Sequence, residues 1–247
     1  MTILQCHDVK KYFPVKRGYL REKASVVRAV DGVTMAIEKG SVYGLVGESG
    51  SGKTTLGKII IGALKPDGGR VELATKKMQV IFQDPYNSLD PKMKISDTLA
   101  EGLILRSCRD GMHKRISDIL DLIKIPESAL RKFPHQFSGG ERQRIAIGRA
   151  LLTEPEFIVC DEPVSSLDVT IQLQILKLLK DAQKRFNITY LFISHDLRVV
   201  RFMCDCVAVM KDGKIVEEGS VNSIYSNPSH PYTKILLSSI LDIYPKM

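Results

Sequence analysis

The residue types and spacing that bind phosphate occur in one nine-residue stretch, Gly47-Glu48-Ser49-Gly50-Ser51-Gly52-Lys53-Thr54-Thr55. The stretch matches the pattern G-x-x-x-x-G-K-[ST]. Its glycines let the backbone curl so that successive N–H groups point at an anion, at the positive end of the helix that follows. In this pattern Lys53 reaches the β- and γ-phosphates of a nucleoside triphosphate, and the Thr54 hydroxyl binds Mg²⁺. An ordinary Gly/Ser-rich turn before a helix is the simpler alternative.

Two adjacent carboxylates follow the apolar run from Phe157 to Cys160. A buried parallel strand here brings Asp161 out at its C-terminal edge, where ligands bind in open α/β sheets. Asp161 can then hold Mg²⁺ through water. Strand side chains alternate, so Glu162 should point to the opposite face, where it can polarise an incoming water molecule.

Two further polar residues come at the ends of predicted strands. Gln83 follows Met78 to Phe82, and its amide oxygen can bind Mg²⁺ or the attacking water. His195 follows Ser194 at the end of the strand candidate Ile188 to Ile193, and it can donate a hydrogen bond to a γ-phosphate. Glutamines at strand ends are common and lone histidines are often structural, so each residue alone is a weak signal.

Another candidate group, Ser138-Gly139-Gly140-Glu141, lies at the start of a predicted helix that runs to Leu152. Ser138 can cap this helix, and Glu141 completes a capping box. Two consecutive glycines suit the close approach of a phosphate better than they suit a cap. Near the N-terminus, the ring of Tyr12 or Phe13 could stack on a purine base, and ordinary packing is the alternative.

The pattern of the chain also predicts the elements that position these groups. A short apolar run, Ser41 to Val46, predicts a buried strand before the phosphate-binding stretch, and a helix should follow as far as Leu64. Pro66 to Arg70 predicts a turn. The composition of residues 95–132 predicts an all-helical insert. Other strands are expected at residues 2–9, 26–38, 71–74, 78–82 and 188–193, a helix at 169–184, and a hairpin at 207–217.

Composition limits the possible classes of protein. A chain of 247 residues with 44% hydrophobic content can form one large domain or one domain with an inserted subdomain. It has no apolar run near the roughly 18 residues of a membrane span and no secretory pattern at its start, so a cytosolic location is expected. Five cysteines without zinc-type spacing argue against a disulfide framework. Cys204-x-Cys206 is either a metal pair or two small residues beside a strand.

The net charge of +8 is concentrated near the N-terminus. A solvated loop that faces anionic lipid explains this charge as well as nucleic-acid binding does. Charge therefore does not decide between these partners. The basic residues of the stretch are Lys10, Lys11, Lys16, Arg17, Arg21, Lys23 and Arg28.

Taken in order, these motifs resemble those of the nucleotide-binding subunits of ATP-binding-cassette (ABC) transporters, and the likeness covers nearly the whole chain. The resemblance implies an α/β P-loop NTPase fold with a RecA-like core, an antiparallel β subdomain and an inserted α-helical subdomain. By this division, residues 1–83 and 151–222 form the core with the β subdomain. Residues 84–150 form the helical signature subdomain, and residues 223–247 form a short C-terminal helical extension.

The resemblance also implies a role for each motif. Phe13, with Tyr12 as the second choice, stacks on adenine, and Gly47 to Thr55 bind ATP. The implied catalytic residues are Lys53, Gln83, Glu162 and His195, and the implied Mg²⁺ residues are Thr54, Gln83 and Asp161. Ser138, Gly139, Gly140 and Glu141 form the signature that acts on a partner's nucleotide, and Asp168 belongs to the D-loop.

One departure from the family pattern is Glu141, because the signature usually ends in glutamine. A carboxylate there either weakens the partner's nucleotide site by charge repulsion or caps its own helix. We expect the cap. If Glu141 instead repels the partner's nucleotide, the chain would be a regulatory cassette with a degraded site that binds ATP without hydrolysing it.

Three stretches resemble the oligopeptide, dipeptide and nickel uptake ATPases: Phe13 to Lys16, Phe82 to Pro91, and Asn227 to Thr233. This likeness implies ATP and Mg²⁺, a head-to-tail dimer with an identical or homologous ATPase, two membrane permease subunits and an extracytoplasmic substrate-binding protein. It places the chain at the cytoplasmic face of the membrane, with no nucleic acid partner. Some members carry an iron–sulfur cluster on extra C-terminal cysteines, and none is expected here because no cysteine follows Cys206.

Two alternatives to peptide import remain open at this point. The first is the import of nickel or another metal chelate. The second is a soluble ABC protein that acts on nucleic acid or ribosomes. Such proteins commonly have two cassettes or a long coiled-coil insertion, whereas one cassette with a short spacing between Gln83 and Ser138 is present here.

Overall fold

The computed structural model describes residues 1–15, 25–84, 88–105 and 110–239. The chain divides into two compact units: the first consists of Met1–Ala74 and Leu191–Met247, and the second of Thr75–Tyr190. Some residues singled out in the sequence lie outside the described residues, namely Lys16, Arg17, Arg21, Lys23, Pro85, Tyr86, Asn87 and Cys108. Residues 106–109 of the predicted helical insert and residues 240–247 of the predicted C-terminal extension also lie outside them. The subdomain bounds stay a prediction.

The first unit contains a three-stranded antiparallel sheet of β1 (Thr2–Val15), β2 (Ser25–Glu38) and β4 (Gly68–Leu73), in the order β2-β1-β4. The strands predicted at 2–9 and 26–38 are confirmed. β1 runs on to Val15 and so includes Pro14. Its pairing with β4 ends earlier, at Lys10 and Gly68, so Pro14 has no β4 residue beside it. A proline is tolerated where no neighbour needs its missing N–H group.

The remaining strands of the first unit lie in the order β7-β3-β8-β9. β3 (Val42–Val46) is buried at every position and pairs with β8 (Cys206–Lys211) in parallel. β9 (Lys214–Ser220) returns antiparallel to β8 through Asp212 and Gly213, whose φ angles of 47° and 79° match a two-residue hairpin turn. The predicted hairpin is confirmed. β7 (Thr189–Ser194) has its first two residues in the second unit.

Four helices belong to the first unit: α1 (Lys53–Ile60), α6 (Leu197–Met203), α7 (Val221–Ser226) and α8 (Pro231–Ser238). The prediction that α1 reaches Leu64 was wrong, because the helix ends at Ile60 and Gly62 takes a left-handed φ of 76°. The predicted turn at 66–70 is shorter than expected, since β4 already begins at Gly68.

The second unit contains β5 (Met78–Ile81) and β6 (Phe157–Asp161), which pair in parallel. The all-helical character predicted for residues 95–132 is confirmed where the chain is described. The helices are α2 (Ile95–Leu105), α3 (Met112–Ile123), α4 (Gly139–Leu152) and α5 (Val169–Phe186), with 3-10 turns at Glu127–Arg131 and Pro134–Gln136.

Apolar stripes on these helices form much of the core of the second unit. The predicted stripe of α3 is fully buried, because Ile116, Ile119, Leu120 and Ile123 recur at helical spacing. On α5, Ile175, Leu178, Leu179 and Ala182 are buried as predicted, whereas Ile171 is only half-buried. Within the described residues, no helix has both the length and the apolar content needed to cross a bilayer.

Candidate nucleotide site

The phosphate loop, Gly47 to Thr55, connects β3 to α1 in the first unit, as the sequence predicts. Two of its glycines are required by the close approach of other strands. A Cβ atom on Gly47 would lie 2.1 Å from the carbonyl oxygen of Met210, and one on Gly52 would lie 2.0 Å from that of Ala29. Gly52 also has a φ of 108°, which side-chain-bearing residues rarely adopt. The loop conformation therefore depends on glycine.

Lys53 is buried at the centre of this loop, with 5% of its surface exposed. Its Nζ atom donates hydrogen bonds to the carbonyl oxygens of Gly47 and Glu48, each at 2.8 Å, and to the Ser51 hydroxyl at 3.3 Å. The loop thus holds a full positive charge beside the N-terminus of α1, where the helix dipole is also positive. Such an arrangement fits an anionic ligand.

Other parts of the first unit hold the loop from outside. The N–H group of Glu48 donates to the hydroxyl of Tyr232 at 3.1 Å. At the β8–β9 turn, the N–H group of Gly213 donates to the carbonyl oxygen of Ser51 at 3.0 Å. Sequence reasoning gave Tyr232 no individual role. It had no signal for this contact, because 184 positions separate the two partners.

The two aromatic candidates for adenine stacking lie next to each other on β1. The Tyr12 hydroxyl donates to Asp31 at 2.6 Å, and this bond raises the pKa of Tyr12 and lowers that of Asp31. Phe13 keeps 39% of its surface exposed, with the Lys11 ammonium 5.7 Å from its ring centre. Phe13 therefore presents more ring surface to a ligand than a tyrosine that is committed to a carboxylate.

His195 is exposed and follows β7 directly, as predicted. The next residue, Asp196, caps α6 by accepting a hydrogen bond from the Arg198 N–H group at 2.9 Å. Burial would raise the pKa of Asp196, but the hydrogen bonds and positive charge of Arg198 outweigh it and leave the pKa below its usual value. The backbone after His195 is therefore fixed by a charged cap.

In the second unit, the carboxylates lie at the end of β6. Asp161 is the last residue of the strand. Glu162 lies beyond it, with a left-handed φ of 49°. Glu162 is therefore not oriented by strand alternation as predicted, because alternation applies only within a strand. A glutamate in this conformation carries local backbone strain, which is common at functional sites.

Gln83 follows β5, and its side chain is exposed. Its carbonyl oxygen accepts a hydrogen bond from the Ser166 hydroxyl at 3.3 Å. Ser166 lies in the loop that leads from the β6 carboxylates to α5. At the end of this loop, the Asp168 carboxylate caps α5 by accepting from the N–H group of Ile171 at 3.0 Å. The second unit therefore brings the Gln83 backbone and the D-loop together.

Gln143 is a residue whose role sequence reasoning missed. It lies on α4 and is fully buried. Its Nε2 atom donates to the carbonyl oxygen of Pro163 at 2.8 Å and, at 3.5 Å, to that of Phe82, so it joins the backbones beside Glu162 and Gln83. Its Oε1 atom is buried and has no hydrogen-bond partner among the residues that the structure describes. The sequence did contain a signal for this role of Gln143. It is a polar residue at helical spacing from Gly140 and Ile147, on the face of α4 that is buried.

The signature residues begin α4 in the way the capping box predicts. The Ser138 N–H group and hydroxyl both donate to Glu141 Oε2, at 2.9 and 2.8 Å. These hydrogen bonds lower the pKa of Glu141. Glu141 therefore caps its own helix in this structure. Gly140 has a packing reason as well, because a Cβ atom there would lie 2.6 Å from the Ile171 side chain of α5.

The fold and the phosphate loop define a P-loop nucleotide-binding protein, and comparison with known proteins identifies the family. The ABC transporter family model matches residues 30–165, and the model for the oligopeptide/dipeptide transporter C-terminal region matches residues 216–247. The chain therefore belongs to the ABC transporter family of ATPases. Its α/β architecture is that of an ABC ATPase cassette, which implies ATP as its ligand.

Individual proteins agree with this assignment. The chain is 42% identical to the oligopeptide transport ATP-binding protein AppF of Bacillus subtilis, over 97% of this chain and 78% of that protein. It is 44% identical to OppF of Lactococcus lactis (strain IL1403), over 98% of this chain and 81% of OppF. Among solved structures, it resembles the dimeric ATP-binding cassette MJ0796 bound to ADP and Pi, with 26% identity, a TM-score of 0.74, and coverage of 89% and 99%.

Proposed function

We propose that this chain is the ATP-hydrolysing nucleotide-binding subunit that energises an importer of oligopeptides or dipeptides. The observation that carries the proposal is the buried Lys53 ammonium inside a glycine-dependent loop at a helix N-terminus. The substrate class rests on the relatives named as oligopeptide transport proteins and on the match over residues 216–247. These names favour peptides over nickel and over a nucleic-acid partner.

The site residues fit ATP with Mg²⁺. The phosphate loop, Gly47 to Thr55, would hold the phosphates, and the exposed ring of Phe13 would stack on adenine. The Thr54 hydroxyl, the Gln83 amide oxygen and, through water, the Asp161 carboxylate are the hard oxygen donors that Mg²⁺ prefers. When bound, Mg²⁺ neutralises charge on the phosphates.

Hydrolysis needs a base for the attacking water and donors for the developing charge. Glu162 accepts the water proton as the water oxygen bonds to the γ-phosphorus. The bond between that phosphorus and the β–γ bridging oxygen breaks, so ADP and phosphate form. Lys53 stabilises charge on the phosphate oxygens, and His195 donates a hydrogen bond to the γ-phosphate. Gln83 orients the water through its amide group.

The remaining motifs serve a dimer. Residues Ser138, Gly139, Gly140 and Glu141 contact the nucleotide of a second ABC ATPase, and Asp168 lies at the junction of the two subunits, which pack head to tail. The dimeric form of the related cassette MJ0796 supports this arrangement. Two permease subunits hold the chain at the cytoplasmic face of the membrane, and a substrate-binding protein delivers the peptide. ATP binding closes the dimer and hydrolysis reopens it.

The proposal is tested by ATP turnover in the transporter complex with Glu162→Gln. Glutamine keeps the shape but cannot take a proton, so turnover should fall at least about 100-fold, which is the typical contribution of a general base. Glu72→Gln is the matched control, because Glu72 is exposed on β4 in a salt bridge with Arg70. Unchanged turnover in Glu162→Gln would remove Glu162 from the role of base.

A further inference from the structure

The C-terminal motif Asn227 to Thr233, which marks the subfamily in the sequence, includes a residue that contacts the phosphate loop. Tyr232 is the second residue of α8, and its hydroxyl oxygen accepts the hydrogen bond from Glu48. Only 6% of Tyr232 is exposed, and the Lys211 ammonium lies 4.8 Å from its ring centre. Burial raises the pKa of Tyr232, so the hydroxyl stays neutral.

The position of Tyr232 is fixed by the segment that precedes it. The Glu217 carboxylate of β9 accepts hydrogen bonds from the Ser229 N–H group and hydroxyl, each at 2.7 Å, and from the His230 N–H group at 3.1 Å. His230 Nδ1 then accepts from the Tyr232 N–H group at 3.2 Å and caps α8. A series of hydrogen bonds therefore leads from β9 through the start of α8 to the phosphate loop.

This arrangement holds the Glu48 backbone at both of its polar groups. Its N–H group donates to Tyr232, and its carbonyl oxygen accepts from Lys53. Glu48 is the first residue after Gly47, so the entry into the loop is fixed before the residues that face the phosphates. A binding loop that is held in one conformation loses less entropy when the ligand binds.

We propose that Tyr232 is a positioning residue for ATP binding, which acts by holding the phosphate loop through Glu48. This inference rests on the proposed ATPase function. It gives the C-terminal motif a role at the nucleotide site. The alternative is that Tyr232 only attaches α8 to the rest of the first unit.

The test compares Tyr232→Phe with Tyr225→Phe in the 247-residue chain. Both substitutions remove one hydroxyl from a largely buried tyrosine of the first unit, but the Tyr225 hydroxyl donates to the carbonyl oxygen of Leu197 and not to the phosphate loop. We expect Tyr232→Phe to raise the Kd for ATP with Mg²⁺ about 2- to 10-fold, the value of one hydrogen bond. Tyr225→Phe should leave Kd within about 1.5-fold of the wild type. Both should lower the Tm of the nucleotide-free protein slightly.

Amide hydrogen exchange gives a second measurement that does not depend on ATP. The Glu48 N–H group should exchange faster in Tyr232→Phe than in the wild type, because its acceptor is lost. The proposal would be overturned if the Glu48 N–H group of Tyr232→Phe exchanged at the wild-type rate. It would also be overturned if the Kd of Tyr232→Phe for ATP equalled that of the wild type. Equal losses of ATP affinity in the two variants would overturn it as well, because they would show only general loosening. A wild-type chain that fails to bind ATP would instead overturn the proposed function itself.

Discussion

Lys53 is buried inside the phosphate loop, which supplies several hydrogen-bond acceptors for its ammonium group. Within the loop, its ammonium group donates hydrogen bonds to two carbonyl oxygens and one hydroxyl. Hydrogen bonds between an ammonium group and phosphate oxygens are roughly twice as strong as those between neutral groups. The exchange of carbonyl partners for phosphate partners therefore favours ATP binding. Because the loop glycines are needed for its shape, this site is preorganised around the lysine.

Gln143 is the other residue whose contacts suggest a role at the site. Its side-chain amide donates to the carbonyl oxygen of Phe82, just after β5, and to that of Pro163, just after β6. These contacts support the positions of the neighbouring residues Gln83 and Glu162. The contact with Pro163 is one residue away from the expected base.

Gln143→Met should therefore affect both stability and turnover. Methionine fills a similar volume but cannot donate to the Pro163 carbonyl oxygen, so the free energy of unfolding should fall by about 1 kcal/mol. ATP turnover should fall as well. Urea unfolding and turnover of the complex are the measurements. Gln174→Met, on the exposed face of α5, removes a solvent-exposed hydrogen bond accepted from Arg144 and should change the free energy of unfolding by less than about 0.5 kcal/mol. Equal effects of the two substitutions would contradict this role.

Much of the site could be predicted from residue types, and the exceptions have physical causes. The phosphate loop, the Ser138–Glu141 cap and the position of Asp161 follow from local spacing. The conformation of Glu162 does not, because a left-handed φ after a strand is imposed by tertiary packing. The contact between Tyr232 and Glu48 joins segments distant in sequence, and no local pattern encodes it.

At the scale of elements, strands with continuous apolar character were the easiest to predict. β3 and β7 are buried at every position, as expected for continuous apolar strands with both faces covered. The end of α1 was harder, because Gly62 stops the helix while the apolar pattern continues to Leu64. Element bounds depend on caps and left-handed residues more than on hydrophobic pattern.

The start of α8 makes a prediction about pH. Burial would raise the pKa of Glu217, but the hydrogen bonds that it accepts from Ser229 and His230 contribute to lowering the pKa to about 2. Its pKa in the unfolded chain is about 4.3. Because the folded pKa is the lower one, ionised Glu217 stabilises the fold above about pH 4.3, and this contribution is lost as the pH falls toward 2.

Glu217→Gln should therefore have a lower Tm than the wild type at pH 7. The difference should shrink as the pH is lowered from about 4.3 toward 3. Thermal unfolding of both proteins across this range is the measurement. Glu72→Gln, at an exposed salt bridge, should leave the Tm nearly unchanged at pH 7. A difference in Tm between Glu217→Gln and the wild type that is constant with pH would contradict the assignment.

At the scale of the whole molecule, the motif order and the family assignment agree. A single ABC cassette contains the phosphate loop and the signature, and in the proposed dimer each acts on a different nucleotide. Cooperation of this kind makes ATP binding the step that joins two subunits. Hydrolysis by Glu162, closure of the dimer and transport of peptides all require that the phosphate loop bind ATP first.

Titration of the purified chain with ATP and Mg²⁺, for the wild type and Lys53→Ala, tests this requirement most directly. The wild type should bind, and Lys53→Ala should weaken binding about 10- to 100-fold, because it removes hydrogen bonds from a charged donor. The Tm of nucleotide-free Lys53→Ala shows whether the variant is folded. A wild-type chain that does not bind ATP, or a folded Lys53→Ala that binds it equally well, would contradict the account.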